Sequence, residues 1–446
     1  MYDTLIQNAL ILTCNPAGEV VPAGWLGVRG ATIAALGRMP APAGAAQVID
    51  AGGGILMPGL VNTHTHLPMT LFRGLADDLP LERWLREHIF PAEAAVLNPA
   101  TARSGALLAG VEMLLSGTTT CADGYFHEDA VAEAVEAVGL RAVLGQGVID
   151  HPAPGVPDPA GNLAAARRFC RAWLGRCPQI RPSVFCHSPL TCSPETLVGA
   201  KRICRELGLL FQVHAAETRT EVERIRAAHG TTPVGLLDAA GLLDERTLLV
   251  HAVWLDEADI ARIAARGARV SHCPESNLKL ASGIAPVPRL LEVGVCVGLG
   301  TDGAASNNNL DLFLEMDTVA KLHKVQCLDP TVLDAGTVLR MATIDGARAL
   351  GLDDRIGSLE PGKQADVIVL DTHRPHLVPM FHPVSQLVYA ARGSDVAAVV
   401  IDGRIVMENG RIRTFDVEQA MDDVNRIAEA IARRPLGRSP VDPIAP

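Results

Sequence analysis

Apolar and polar positions alternate over short stretches at both ends of the chain, and a different rhythm fills the middle. Residues 5–13, 26–35 and 46–50 read as short strands separated by Gly and Pro. The pattern returns at 365–370, 396–401 and 405–408, with the hairpin dipeptides Asp402-Gly403 and Asn409-Gly410. The two ends are therefore expected to pair into one small β-sandwich domain, residues 1–57 together with 357–446. A helical periodicity over 417–433 predicts a closing helix packed back on that domain.

Between the ends, short apolar runs alternate with longer amphipathic segments, the pattern of repeated βα units around a parallel sheet. Eight such strands are expected, at 59–61, 118–122, 142–145, 182–186, 210–213, 248–250, 269–271 and 295–300. In the same order they lead into His64, Asp123, Gln146, His187, His214, His251, His272 and Asp302. Eight repeats predict a (β/α)8 barrel over 58–356, with a doubly wound open sheet as the alternative that periodicity alone leaves standing. In a barrel, residues that follow the strands gather at the carboxyl-terminal face, where such folds build their sites.

His64 and His66 sit two apart on an extended segment, so both side chains point to one side. A bare His-x-His pair is a weak signal. It gains meaning because His214 ends the fifth expected strand and Asp302 the eighth, which gives three imidazoles and one carboxylate. That set suits one borderline divalent ion, zinc first and iron second, with a position left open for water. A closed structural zinc site would favour cysteine and short local spacing, whereas these ligands run from 64 to 302. Such an ion makes water nucleophilic near neutral pH, and the water can attack a ring carbon that bears an amine. Glu217, three residues after His214, is then placed to carry a proton to the neighbouring ring nitrogen, with His251 and Asp302 orienting or deprotonating the water. His272 is left outside this set, as a residue that orients neighbouring loops.

Composition narrows the field further. Apolar residues make up 48% and charged residues 20% of 446, a well-packed globular profile, and with 4% aromatics the core must be filled by smaller side chains. A formal charge of -11 argues against nucleic acid and anionic membranes as partners. None of the ten cysteines forms a Cys-x-x-Cys pair, so they read as reduced core residues. Residues 1–16 lack the pattern of a secretory leader, and no apolar run is long enough to span a bilayer, so a cytoplasmic location is expected. Large barrels are commonly symmetric, which predicts a homodimer or homotetramer.

Longer motifs carry a resemblance that covers nearly the whole chain. They are His64-Thr65-His66-Leu67-Pro68-Met69-Thr70-Leu71-Phe72-Arg73-Gly74, His272-Cys273-Pro274-Glu275-Ser276-Asn277-Leu278-Lys279-Leu280, Gly300-Thr301-Asp302-Gly303-Ala304-Ala305-Ser306-Asn307-Asn308 and Gly357-Ser358-Leu359-Glu360-Pro361-Gly362-Lys363-Gln364-Ala365-Asp366. The chain resembles the amidohydrolase superfamily, close to the 5'-methylthioadenosine/S-adenosylhomocysteine deaminases. The resemblance implies a mononuclear site on His64, His66, His214 and Asp302 and a nucleoside substrate. It further implies that Glu93 holds the ribose hydroxyls, His187 the sugar or base and Glu217 the purine, with Trp84 and Ser306 lining the pocket.

One position departs from the pattern. Family members that accept S-adenosylhomocysteine carry arginine after the third strand, a clamp for the amino-acid carboxylate, where this chain has Gln146. Arg141 lies nearby but precedes the strand, toward the far end of the barrel, and the proline-rich stretch 151–159 borders the same edge. A preference for methylthioadenosine or adenosine over the homocysteine conjugate is expected. The rival readings are a related aminohydrolase or chlorohydrolase acting on another purine, pterin or triazine ring, and a barrel that has lost catalysis and serves as a scaffold.

Overall fold

The computed structural model describes residues 1–433; the end of the expected composite domain, 434–446, lies outside the described residues. Eight parallel strands follow one another in chain order around a barrel: Leu60–Thr65, Thr118–Tyr125, Arg141–Val148, Ile180–Cys186, Phe211–Ala215, Thr247–His251, Arg269–His272 and Val297–Leu299. Every expected barrel strand is present. The seam between the first and eighth strands is closed by hydrogen bonds around a side chain rather than by a regular ladder. Asn62 Nδ2 donates to Thr301 Oγ1 (2.7 Å), Asn62 Oδ1 accepts from the Thr301 N–H (3.1 Å), and the Asp302 N–H donates to the His64 carbonyl (3.0 Å). The open-sheet alternative is thereby set aside.

The chain ends build a second, nine-stranded mixed sheet. Its centre is Tyr2–Leu12, flanked on one side by Val20–Arg29 and on the other by Ile55–Pro58, which pairs in turn with Val367–Leu370. Ile6, Ile11, Leu26, Val28 and Leu56 pack with Val367, Val369 and Val400 in one core, so the sheet curls on itself in a sandwich-like manner. The turn at Gly30 meets the turn at Asp402-Gly403 so closely that a Cβ on Gly403 would lie 2.0 Å from the Gly30 carbonyl oxygen. Asp402, Gly403, Asn409 and Gly410 all have positive φ, as the hairpin dipeptides predict.

Two expectations need correction. Residues 26–35 are not one strand: Gly30, at φ +57°, turns the chain between Val20–Arg29 and Thr32–Arg38. The closing helix Val417–Ala432 forms, but Val424 and Ile431 pack with Met69, Phe72 and Trp84, and its main helical neighbour is Pro99–Leu115. It covers the outside of the barrel near the first strand rather than the terminal sheet. No helix among the described residues is long and apolar enough to cross a membrane, and all ten cysteines are free.

Candidate metal and active site

Each expected ligand is placed by a strand end. His64 lies near the end of the first strand, His66 just past it, His214 is the next-to-last residue of the fifth, and Asp302 lies three residues beyond the eighth. His64 Nε2 stands 3.2 Å from His214 Nε2 and 3.4 Å from Asp302 Oδ1, and His66 Nε2 stands 3.3 Å from the same oxygen. All four side chains are buried. Burial drives the three imidazoles below their ordinary range, His64 down to about 3, so they are neutral lone-pair donors at neutral pH. The His66 Nδ1 faces the Gly124 carbonyl at 2.6 Å, which turns its Nε2 lone pair inward. Lone pairs and a carboxylate crowding one point repel each other unless a cation sits among them, so this donor set fits a divalent ion with nitrogen and oxygen ligands.

Two hydroxyls hold the carboxylate, one on Ser276, to which the sequence assigns no role, and one on Ser306, expected only to line the pocket. Ser276 Oγ and Ser306 Oγ both donate to Asp302 Oδ2, at 2.6 and 2.8 Å, and the Gly303 N–H donates to Oδ1. Ser306 borders the cavity as expected, but its hydroxyl is spent on Asp302. Asp302 (φ +60°) and His251 (φ +70°) are both held in the left-handed region without being glycine. Such conformations cost about 1–3 kcal/mol each and gather at functional sites.

Glu217 and His251 stand beside the ligand set. Glu217 Oε2 is 3.7 Å from His251 Nε2, and Ser282 Oγ reaches Glu217 Oε1 at 3.4 Å. The backbone of this turn is held by Glu221, which accepts from the N–H groups of Ala216 (3.0 Å) and Glu217 (2.8 Å). His251 Nδ1 lies 3.0 Å from Asn277 Oδ1. Ser276 and Asn277 lie inside the motif 272–280, which assigns neither a role, and Glu221 carries no pattern beyond its place after the fifth strand. His272 is apart from the set, its Nε2 3.5 Å from His323 Nε2.

A cavity opens above these groups, and Trp84, Glu93, His187 and Phe185 line it. A π-helical turn, Leu85–Ile89, joins two short helical segments and brings Trp84 and Glu93 to the same wall. Glu93 accepts a hydrogen bond from the Tyr125 hydroxyl, and burial raises its carboxyl to about 7. His187 Nδ1 is 2.8 Å from Thr191 Oγ1, and burial lowers this imidazole to about 4. The Phe185 ring stacks on His64 and meets His214 edge-on at 4.9 Å, screening the ligands from water. Gln146 does not reach the cavity; its amide donates to the Gly147 carbonyl at 3.3 Å.

Three imidazoles and a carboxylate at the carboxyl ends of the first, fifth and eighth strands define a metal-binding hydrolase barrel. The amidohydrolase family model matches residues 55–406. A 5-methylthioadenosine/S-adenosylhomocysteine deaminase from Syntrophobacter fumaroxidans is 49% identical, over 96% of this chain and 98% of its own. A 5'-deoxyadenosine deaminase from Methanothermobacter thermautotrophicus is 46% identical, over 97% and 100%. The crystal structure of an adenosine deaminase from Xanthomonas campestris with bound zinc superposes with a TM-score of 0.94 at 38% identity, covering 97% of this chain and 99% of its own. The chain belongs to the amidohydrolase family, and it is a hydrolytic deaminase.

Proposed function

We propose that the chain removes the 6-amino group of adenine nucleosides with small 5' groups, 5'-methylthioadenosine and 5'-deoxyadenosine foremost, with adenosine also accepted. The observation that carries this is one cavity with two ends: the His64, His66, His214 and Asp302 set with Glu217 and His251 at its base, and buried Glu93 on its wall. The net reaction adds water at the ring carbon and releases ammonia, leaving the keto form.

His64, His66, His214 and Asp302 would hold a divalent ion, zinc by analogy with the Xanthomonas campestris relative and iron as the alternative, which makes water nucleophilic at neutral pH. Glu217 moves a proton to the ring nitrogen beside the attacked carbon, and burial, which raises its carboxyl, favours the protonated form that this step needs. His251, fixed by Asn277, orients Glu217 and the water. Ionised Glu93 accepts from the ribose hydroxyls, while His187 and Trp84 close on the sugar and base. Residues 1–57 and 357–416 act as one supporting domain for the 58–356 barrel, and the protein assembles as a homodimer or homotetramer.

The test is ammonia release from the three nucleosides by protein stripped with a chelator and then reloaded with zinc or iron, with Asp302→Ala as control. Activity that returns with metal in the parent and stays absent in the variant supports the reading; release by the stripped protein or by Asp302→Ala overturns it.

A further inference from the structure

Two loops frame the site from the side of the last two barrel strands. The short helix Pro274–Lys279 supplies Ser276, whose hydroxyl donates to Asp302 Oδ2, and Asn277, whose amide oxygen meets His251 Nδ1. The segment after the eighth strand carries Asp302 itself and then Asn307. Behind both lies Glu315, in the helix Leu312–Cys327 and fully buried. Its Oε1 accepts from Asn307 Nδ2 at 2.7 Å, and the same Nδ2 donates to the Thr301 carbonyl at 2.9 Å, one residue before Asp302. Its Oε2 accepts from the Glu275 N–H at 3.1 Å, in the first turn of the helix that carries Ser276 and Asn277.

We propose that Glu315 is a positioning residue that ties these two loops together and so sets the placement of both Asp302 and His251; this rests on the reading of the site given above. No ion pair to Glu315 exists among the described residues. Burial and the nearby charges of Glu275 and Asp302 push the Glu315 carboxyl well above its ordinary range, yet each of its oxygens faces an N–H donor, an arrangement that suits the ionised form; an apolar side chain of similar volume would pack the position at lower cost. What the carboxylate offers instead is an acceptor at each oxygen, one for each loop. Glutamine of the same length has one acceptor and would set its own N–H against one of the two donors. Asp302 is thereby held through two routes, Asn307 with Thr301 and Ser276, that meet at one side chain, and His251 is reached from the same side chain through Asn277.

Glu315→Gln in the full-length protein is measured for zinc affinity by chelator competition, for kcat and KM on 5'-methylthioadenosine, and for the thermal midpoint of the metal-free protein. Loosened support for Asp302 and His251 predicts about a 10–100-fold loss in zinc affinity and in kcat, with KM little changed. A lowered midpoint with zinc affinity and kcat intact would mean that Glu315 only stabilises the fold, and overturns the proposal. Ser276→Ala acts through the same helix, so its effect combined with Glu315→Gln should fall short of the sum of the two; full additivity also overturns it. Where Glu315→Gln fails to accumulate as folded protein, Asn307→Ala removes one of the two ties and is read by the same measurements. Asp302→Ala separates the levels: if it deaminates normally the site itself is misread, and if it is dead while Glu315→Gln is normal, only the positioning role falls.

Discussion

His251 Nε2 and Glu217 Oε2 face each other across 3.7 Å, while Asn277 Oδ1 engages the opposite nitrogen of the ring at 3.0 Å. An amide oxygen accepts, so Nδ1 carries the ring proton and Nε2 turns a lone pair toward the carboxyl. A closure of about half an ångström, or one bridging water, would let one proton pass between Glu217 and His251. Glutamine at 217 can still offer an N–H to that lone pair, which keeps the geometry, but it cannot give up a proton. Glu217→Gln is therefore expected to retain metal and fold normally while kcat falls by about 10²–10⁴-fold. Near-normal turnover would remove Glu217 from proton transfer.

The Tyr125–Glu93 contact predicts a pH dependence. Burial raises Glu93 to about 7 and the Tyr125 hydroxyl acts against that rise. Only the ionised carboxylate can accept from two ribose hydroxyls at once, so KM should climb as pH falls through about 7 and protonates it. Tyr125→Phe removes the opposing hydrogen bond and should move this limb upward by about one pH unit, the equivalent of ~1.4 kcal/mol. A pH profile of KM identical in parent and variant would show that Glu93 does not titrate in substrate binding.

The candidate ligand set is legible because a barrel strand is short, apolar and ends at the site, so His64, His214 and Asp302 stand out at the ends of the expected strands. The residues that hold them are not. Ser276, Asn277 and Glu315 act by hydrogen bonds between loops that meet only after the barrel closes; the motif 272–280 contains the first two without showing what they hold, and nothing in the spacing around Glu315 distinguishes it from a solvated polar residue. The turn at Gly30 was hidden because both flanks continue the same β-type alternation. The helix Val417–Ala432 shows an apolar face in its sequence, but such a face does not say what it will cover, and here it covers the barrel. His272, set aside from the sequence, is engaged with His323.

The cavity wall bears on the 5' substituent. None of the described residues that line it is Arg or Lys, Glu82 is among them, and Leu81, Leu85, Phe90, Phe126 and Leu190 make much of the rest. A methylthio or deoxy group meets apolar surface there, whereas the amino-acid tail of S-adenosylhomocysteine brings a carboxylate to a wall without Arg or Lys, the nearby Arg224 being paired with Glu82 at 3.7 Å. A charge left unpaired on binding costs several kcal/mol, so kcat/KM for the homocysteine conjugate should fall about 100-fold or more below that for 5'-methylthioadenosine. Equal kcat/KM on both would show that the tail stays outside the cavity in solvent.

At the opposite end of the barrel, Arg141 begins the third strand and reaches across to the terminal sheet. Its Nε donates to Asp366 Oδ2 at 2.6 Å, and its terminal nitrogen donates to Asp366 Oδ1 (3.1 Å) and Asp402 Oδ1 (3.2 Å). The guanidinium and Asp366 are almost fully buried, so removing the cation leaves a buried carboxylate without its partner. Arg141→Ala should therefore cost about 3–5 kcal/mol in denaturant unfolding. It lies far from the mouth, so protein that remains folded should keep its kcat and its metal affinity. A variant that unfolds at the parental denaturant concentration would mean that water replaces the guanidinium at this junction. One that loses kcat while remaining folded would mean that the terminal sheet governs the geometry of the site from beneath.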